Sequence, residues 1–86
     1  MKVIAINVKD KPNEIPTSRW LVKDREYTII KIMIMKMQGG IAGVKLAEIN
    51  NDDLFPWSYF RLDRFAITKE EIEKLIKSQE VELEYV

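Results

Sequence analysis

The side chains that could perform chemistry in this 86-residue chain are carboxylates, amines, guanidinium groups and phenols, because the sequence contains neither His nor Cys. Their absence removes the commonest general base, the usual zinc ligands and any thiol nucleophile. Asp52, Asp53 and Asp63 suggest acid–base chemistry, but no opposing base and no Gly-rich phosphate loop accompany them. The run Asn50–Asp53 is better explained as an Asx-type turn. We therefore predict that the protein is not an enzyme and has no catalytic residue or cofactor.

Three methionines alternate along one stretch, at Met33, Met35 and Met37. Thioether sulfur can bind copper, but such sites usually include His or Cys. Methionines at this spacing are more typical of a core or an adaptable interface. No metal site is predicted.

Aromatic residues provide the first candidate binding site. Four of them are concentrated near position 57, namely Phe55, Trp57, Tyr59 and Phe60. One interpretation is that Phe55 and Phe60 close the open end of a barrel. Trp and Tyr dominate binding hot spots, so the alternative is that Trp57 and Tyr59 stay partly exposed, with Trp20 beside them. We predict Trp20, Trp57 and Tyr59 as anchors for another protein.

Basic residues provide a second candidate, a nucleic-acid-binding surface. Small barrels bind nucleic acid through a charged sheet face with stacking aromatic residues. The residues predicted for this alternative are Lys23, Arg25, Lys31 and Lys36. The formal net charge of zero argues against it, because nucleic-acid-binding domains are usually distinctly basic.

Charge is unevenly distributed, and this suggests a third class of function. Residues 1–49 contain nine Lys or Arg and five Asp or Glu, a net charge of +4, whereas residues 50–86 contain five and nine, a net charge of −4. The basic and acidic parts of neighbouring copies could therefore meet in a self-associating structural protein. The acidic residues of the C-terminal end are Glu70, Glu71, Glu73, Glu80, Glu82 and Glu84.

The sequence favours a cytoplasmic protein with no membrane partner. No stretch approaches the roughly 20 apolar residues that a bilayer-spanning helix needs. The apolar run Lys2–Val8 lacks the length and the cleavage site of a signal peptide.

Short alternating and β-branched stretches predict about five strands, over residues 2–8, 19–22, 27–37, 41–49 and 63–67. Pro12 and Pro16 indicate a loop between the first two, because proline cannot donate to a strand ladder. Gln38–Gly40 is typical of a hairpin turn, and Gly43 of a bulge.

The stretch Tyr27–Met37 gives the strongest strand signal, since it is rich in β-branched residues and contains no Gly or Pro. Simple alternation places Thr28, Ile30, Ile32 and Ile34 on one face. The other face then carries Tyr27, Ile29, Met33 and Met35, with Lys31 among them. A strand that is apolar on both faces is usually buried on both, or bent so that it serves two sheets.

A helix is predicted to begin at Thr68, which has capping-box spacing to Glu71, and to end near Gln79. Its apolar stripe consists of Ile72, Leu75 and Ile76. Val81, Leu83 and Tyr85 alternate with glutamates, which predicts a short terminal strand.

The residue pattern also carries a family resemblance, in the segments Val3–Ile6, Trp20–Ile29, Gly39–Ile41, Leu46–Ile49 and Arg64–Phe65. Together with the element order, it resembles the SH3-like small barrels, and it is similar to functionally uncharacterised proteins of bacteriophages, prophages and bacterial mobile elements. The resemblance implies a barrel over residues 1–67, with residues 68–86 packed on the same domain as a helix and acidic tail. The turn Lys23–Glu26 departs from it by lacking glycine. It implies no catalytic residues, and the peptide binding of eukaryotic SH3 domains does not transfer with the fold.

Overall fold

The long β-branched stretch forms the main strand, β2 (Glu26–Met35). Three strands pair with it: β1 (Lys2–Ile4), β3 (Gly40–Leu46) and β4 (Glu82–Tyr85). One helix, α1 (Lys69–Ser78), precedes β4, so the predicted mainly β class with a C-terminal helix is confirmed. The computed structural model describes residues 1–35 and 40–86. Residues 36–39, which include Lys36, Met37 and most of the predicted hairpin turn, lie outside the described residues.

The central strand β2 has partners along both of its edges. Strand β3 runs antiparallel to it along one edge, with Ile32 opposite Val44. The other edge is shared by two strands. Strand β1 pairs antiparallel with the first residues of β2, and β4 pairs parallel with its later residues, where Lys31 lies opposite Glu82. The predicted terminal strand is therefore confirmed, and it joins the sheet beside β1.

A bulge in β2 explains why counting every second residue gives this strand two apolar faces. Ile29 pairs with Leu46 and Lys31 with Lys45, so Ile30 is an extra residue between two consecutive pairs. Because it shifts the alternation by one position, Ile29 and Ile32 are both buried, at 2% and 0% exposure, whereas Ile30 is 46% exposed. The prediction that Ile30 and Ile32 share a face is therefore wrong. A second register shift beside Gly43 agrees with the bulge predicted there.

The described strands form an open sheet that is not closed into a barrel. Residues 63–67 do not form the predicted strand. A 3₁₀ turn, Leu62–Arg64, uses local hydrogen bonds there, and only single-residue bridges flank it. Phe65 pairs with Ala5 and Phe60 with Val44. One short segment is thus attached to the outer edges of both β1 and β3.

The short strand predicted over residues 19–22 is also absent from the described structure, and a 3₁₀ turn covers Thr17–Arg19 instead. The Val22 N–H donates to the phenol oxygen of Tyr27 at 2.8 Å rather than to a neighbouring strand. The Asp24 N–H donates to the Ala5 carbonyl at 2.8 Å, which holds the following turn against the chain after β1.

The helix begins as predicted, because Thr68 and Glu71 form a capping box in which each side chain accepts from the other residue's backbone N–H. It ends at Gln79, which has the left-handed conformation (φ 59°) of a helix C-cap. Ile72 and Leu75 are buried in the same cluster as the sheet residues. No helix in the described part of the chain is long and apolar enough to cross a membrane.

Candidate binding groove

An open groove with a volume of about 460 Å³ lies between the loop of residues 10–15 and the segment 57–64. Its loop side is lined by Asp10, Pro12, Glu14 and Ile15. Its opposite side is lined by Trp57, Tyr59 and Arg61, and its more buried base by Trp20, Phe60 and Arg64. The three residues predicted as protein anchors, Trp20, Trp57 and Tyr59, therefore all line the same groove.

The loop side of the groove is held by its own residues. Ile15 is 2% exposed and fixes the end of the loop in the protein interior. The Lys11 ammonium donates to the carbonyl oxygens of Pro12 and Ile15, at 3.2 and 2.5 Å. These contacts position the backbone that presents Asp10 and Glu14 to the groove.

Trp20 is fixed at the base of the groove by three contacts. Its indole N–H donates to the Val8 carbonyl at 2.8 Å. Its ring packs against Phe60 with centroids 5.8 Å apart, and the Arg64 guanidinium lies 4.8 Å from its centre. A ring held in this way contributes shape to the groove more than it contributes freely exposed surface.

Arg64 lines the groove although neither its residue type nor its spacing predicted it as a site residue. It is only 9% exposed, yet it forms no ion pair with a described residue. Its guanidinium instead donates to the carbonyl oxygens of Asn7 and Lys9, at 3.2 and 2.8 Å, and stacks on Trp20. It thereby ties the 3₁₀ turn to the chain that leads into the loop side of the groove.

Tyr59 is held from the sheet. Its hydroxyl donates to the Glu84 carboxylate, and the Lys45 ammonium lies 4.8 Å from its ring centre. Burial, reinforced by the hydrogen bond to Glu84 and by its charge, raises the pKa of Tyr59 to about 12. The same hydrogen bond lowers the pKa of Glu84, and the charges of Lys31 and Lys45 lower it further.

Gly43 of β3 lets this tyrosine approach the sheet. A Cβ atom at Gly43 would lie 2.9 Å from the Tyr59 Cβ and 3.1 Å from the Phe60 carbonyl oxygen. Both distances are shorter than ordinary van der Waals contact, so only glycine fits without a shift of the crossing segment. The glycine that marks the bulge therefore also sets the position of one wall of the groove.

Trp57 differs from the other two anchors because it is 38% exposed and its ring has no cation or aromatic partner among the described residues. Its backbone N–H donates to the Leu54 carbonyl at 2.6 Å, closing the turn over residues 54–57. Phe55, in the same turn, is 88% exposed and does not line the groove. The interpretation of Phe55 as a core plug is therefore wrong, whereas Phe60, at 4% exposure, is buried as expected.

Of the basic residues predicted for nucleic acid, the three that the structure describes do not line this groove. Lys31 is half-buried and lies 3.6 and 3.7 Å from the carboxylates of Glu82 and Glu84. Lys23 and Arg25 are exposed in the turn before β2. Lys36 lies outside the described residues.

The carboxylates considered for acid–base chemistry are all engaged in ion pairs. Asp52 pairs with Lys45 at 2.7 Å, Asp53 with Arg19 at 2.6 Å and Asp63 with Arg61 at 2.6 Å. Hydrogen bonding to Arg19 lowers the pKa of Asp53. Within residues 1–35 and 40–86, no group of three or more acidic side chains could hold a metal ion.

No protein-family model, curated protein or solved structure matches the chain in comparisons of its sequence and fold. The function of the groove is therefore inferred from its residues and their contacts.

Proposed function

We propose that this protein is a non-catalytic interaction module that binds a segment of a partner protein in the groove, with Trp57 as the main contact residue. Trp20 and Tyr59 form the fixed surfaces against which the segment packs. The absence of His and Cys from the sequence supports a binding role over a catalytic one.

The convergence of the three anchors carries this proposal. Trp20 comes from one part of the chain and Trp57 and Tyr59 from another, and the structure brings them to one groove that is also lined by charged residues. A concave, largely apolar site with a few polar groups is the usual form of a ligand site. Among the basic residues of the nucleic-acid alternative, Lys31 already lies close to two glutamates, which favours the protein-binding proposal.

We also propose that the fold is an incompletely closed relative of the SH3-like small barrels, and that the protein is a cytoplasmic product of a phage or mobile element. The bridges at Phe60 and Phe65 support the fold proposal, because they attach one segment to both outer edges of the sheet, as closure requires. The proposed origin and location rest on the sequence resemblance alone.

Selection from a random peptide library on the immobilised protein tests the binding proposal. The selected peptides are then titrated against the wild-type protein, Trp57→Ala and Phe55→Ala. We expect Trp57→Ala to weaken binding at least about tenfold, as truncation of a hot-spot tryptophan does. Phe55→Ala is the matched control, since it removes a more exposed aromatic ring from the same turn without changing the lining of the groove.

The proposal fails if no peptide is selected, or if the selected peptides bind Trp57→Ala as well as wild type. Equal losses in both variants would place the contact on the exposed turn and not in the groove. Thermal unfolding of each variant must show that Trp57→Ala is folded under the conditions of the titration.

A further inference from the structure

The charged residues of the groove are not equally available to a ligand. Arg64 is occupied by the carbonyl oxygens of Asn7 and Lys9 and by the Trp20 ring, and Arg61 pairs with Asp63 at 2.6 Å. On the loop side, by contrast, neither Asp10 nor Glu14 forms an ion pair with a described residue. Asp10, Glu14 and Arg64 are the lining charges with no ion-pair partner among the described residues, so the net charge left unpaired in the groove is negative.

The aromatic rings of the groove show a parallel difference. The Arg64 guanidinium already lies over Trp20, and the Lys45 ammonium over Tyr59. Phe60 is buried against Trp20. In the described part of the chain, Trp57 alone among these rings combines exposure with the lack of a cation. Tryptophan is the aromatic ring that binds a cation most strongly.

We propose that the groove is selective for a protein segment that carries a lysine or arginine, whose charge lies between the Asp10 and Glu14 carboxylates and the face of Trp57. This inference rests on the proposed function and names the chemistry of its partner. The basic side chain forms charge-assisted hydrogen bonds with the carboxylates, and its methylene stem packs on the aromatic surface. Neighbouring apolar residues of the segment occupy the rest of the groove, against Pro12, Trp20 and Tyr59.

Lys11 forms no ion pair with either carboxylate. Its ammonium is held by the carbonyl oxygens of Pro12 and Ile15, and it is not among the lining residues. The carboxylates are solvent-exposed, so their attraction for a cation is screened by salt. Selectivity for the basic residue should therefore weaken as the salt concentration rises, whereas the apolar contact with Trp57 should persist.

The same library selection tests this inference. We expect selected peptides to be enriched in Lys or Arg, and we use the tightest of them as the probe. The double variant Asp10→Asn/Glu14→Gln should weaken its binding at least about tenfold, since it removes both charged partners of the basic side chain. Asn suits position 10, because Asp10 has φ 62° and Asn tolerates left-handed backbone well. Glu73→Gln, an exposed carboxylate on α1, is the matched control and should leave the affinity unchanged.

A second comparison assigns the loss to the cation. When the basic residue of the probe is replaced by methionine, wild type and the double variant should bind it equally, because no charge remains for the carboxylates to recognise. Probes that depend on Trp57 but lack a basic residue, or that bind Asp10→Asn/Glu14→Gln as tightly as wild type, would overturn the inference and leave the proposed function standing. Enrichment of acidic peptides would also overturn it. Failure to obtain any Trp57-dependent probe would refute the proposed function itself.

Discussion

Ile30 and Ile32 are two residues apart in β2, and replacing each with alanine tests the bulge that separates their environments. Both variants remove the same atoms from the same strand, and both lower β-propensity to the same extent. Their difference in stability therefore reports the difference in burial. Without the bulge, alternation would give the two side chains the same face and comparable losses.

The expected losses follow from the exposure of each side chain. Ile32 is fully buried among core residues, and Ile→Ala at such a site costs about 2–5 kcal/mol through lost burial and the cavity that remains. Ile30 is 46% exposed, so its replacement leaves no enclosed cavity and should cost less than about 1 kcal/mol. The two variants should thus differ by at least about 1 kcal/mol, and Ile32→Ala should be the less stable.

Urea unfolding followed by tryptophan fluorescence measures both losses. Equal slopes of the unfolding free energy against urea concentration would establish that the variants unfold from comparably compact states. If the two losses agree within about 0.5 kcal/mol, the two side chains are equally buried and the bulge reasoning is wrong. It is also wrong if Ile30→Ala is the less stable variant.

Four further predictions concern the groove and the residues that hold it. Gly43→Ala should lower the free energy of unfolding by about 1–3 kcal/mol, because its Cβ would lie 2.9 Å from that of Tyr59. Without this overlap the change would stabilise by about 0.4–1 kcal/mol through the unfolded chain, so the sign measured in urea decides. Arg64→Met should cost about 1.5–3 kcal/mol, because it leaves two backbone carbonyls without their charged donor, and a stability at the wild-type level would contradict that role. The lowered pKa of Glu84 means that its stabilising contribution is present above the ordinary glutamate pKa and is lost as pH falls through the lower folded value. The stability difference between wild type and Glu84→Gln should therefore shrink in acid, and a pH-independent difference would refute the assignment. The raised pKa of Tyr59 acts in the opposite sense, because its contribution is present below the ordinary tyrosine pKa and is lost as pH rises toward about 12. A phenolate absorbance titration should find one tyrosine that ionises later in the wild type than in Glu84→Gln.

Local signals in the sequence were sufficient for the helix and for the terminal strand. The capping box at Thr68 depends on residues three positions apart, and the apolar spacing of Ile72 and Leu75 depends on one turn of helix. Both can be recognised without knowing what the helix packs against. The aromatic residues were likewise recognisable by type, although their convergence on one groove depends on tertiary contacts.

The features that sequence could not supply are those set by distant partners. The bulge at Ile30 depends on which residue of β3 lies opposite, and alternation within one strand contains no information on that pairing. The predicted strand at 63–67 has suitable residues, but the 3₁₀ turn before Phe65 leaves only one residue to pair with Ala5. Arg64 has the sequence context of an ordinary surface arginine, and its burial follows from carbonyl groups more than 50 residues away, as the separations of 57 and 55 positions show.

The three predicted anchors also differ in a way that residue type does not encode. Trp20 and Tyr59 each have a hydrogen-bond partner for their polar group and a cation over the ring. Side chains fixed in this way lose little conformational freedom when a ligand binds, so they serve as preorganised walls. Trp57 has the largest exposed fraction of the three and no such partner within the described residues, so it gains the most contact surface on binding. A ligand should therefore depend on Trp57 for contact energy, and on Trp20 and Tyr59 for the shape of the groove that admits it.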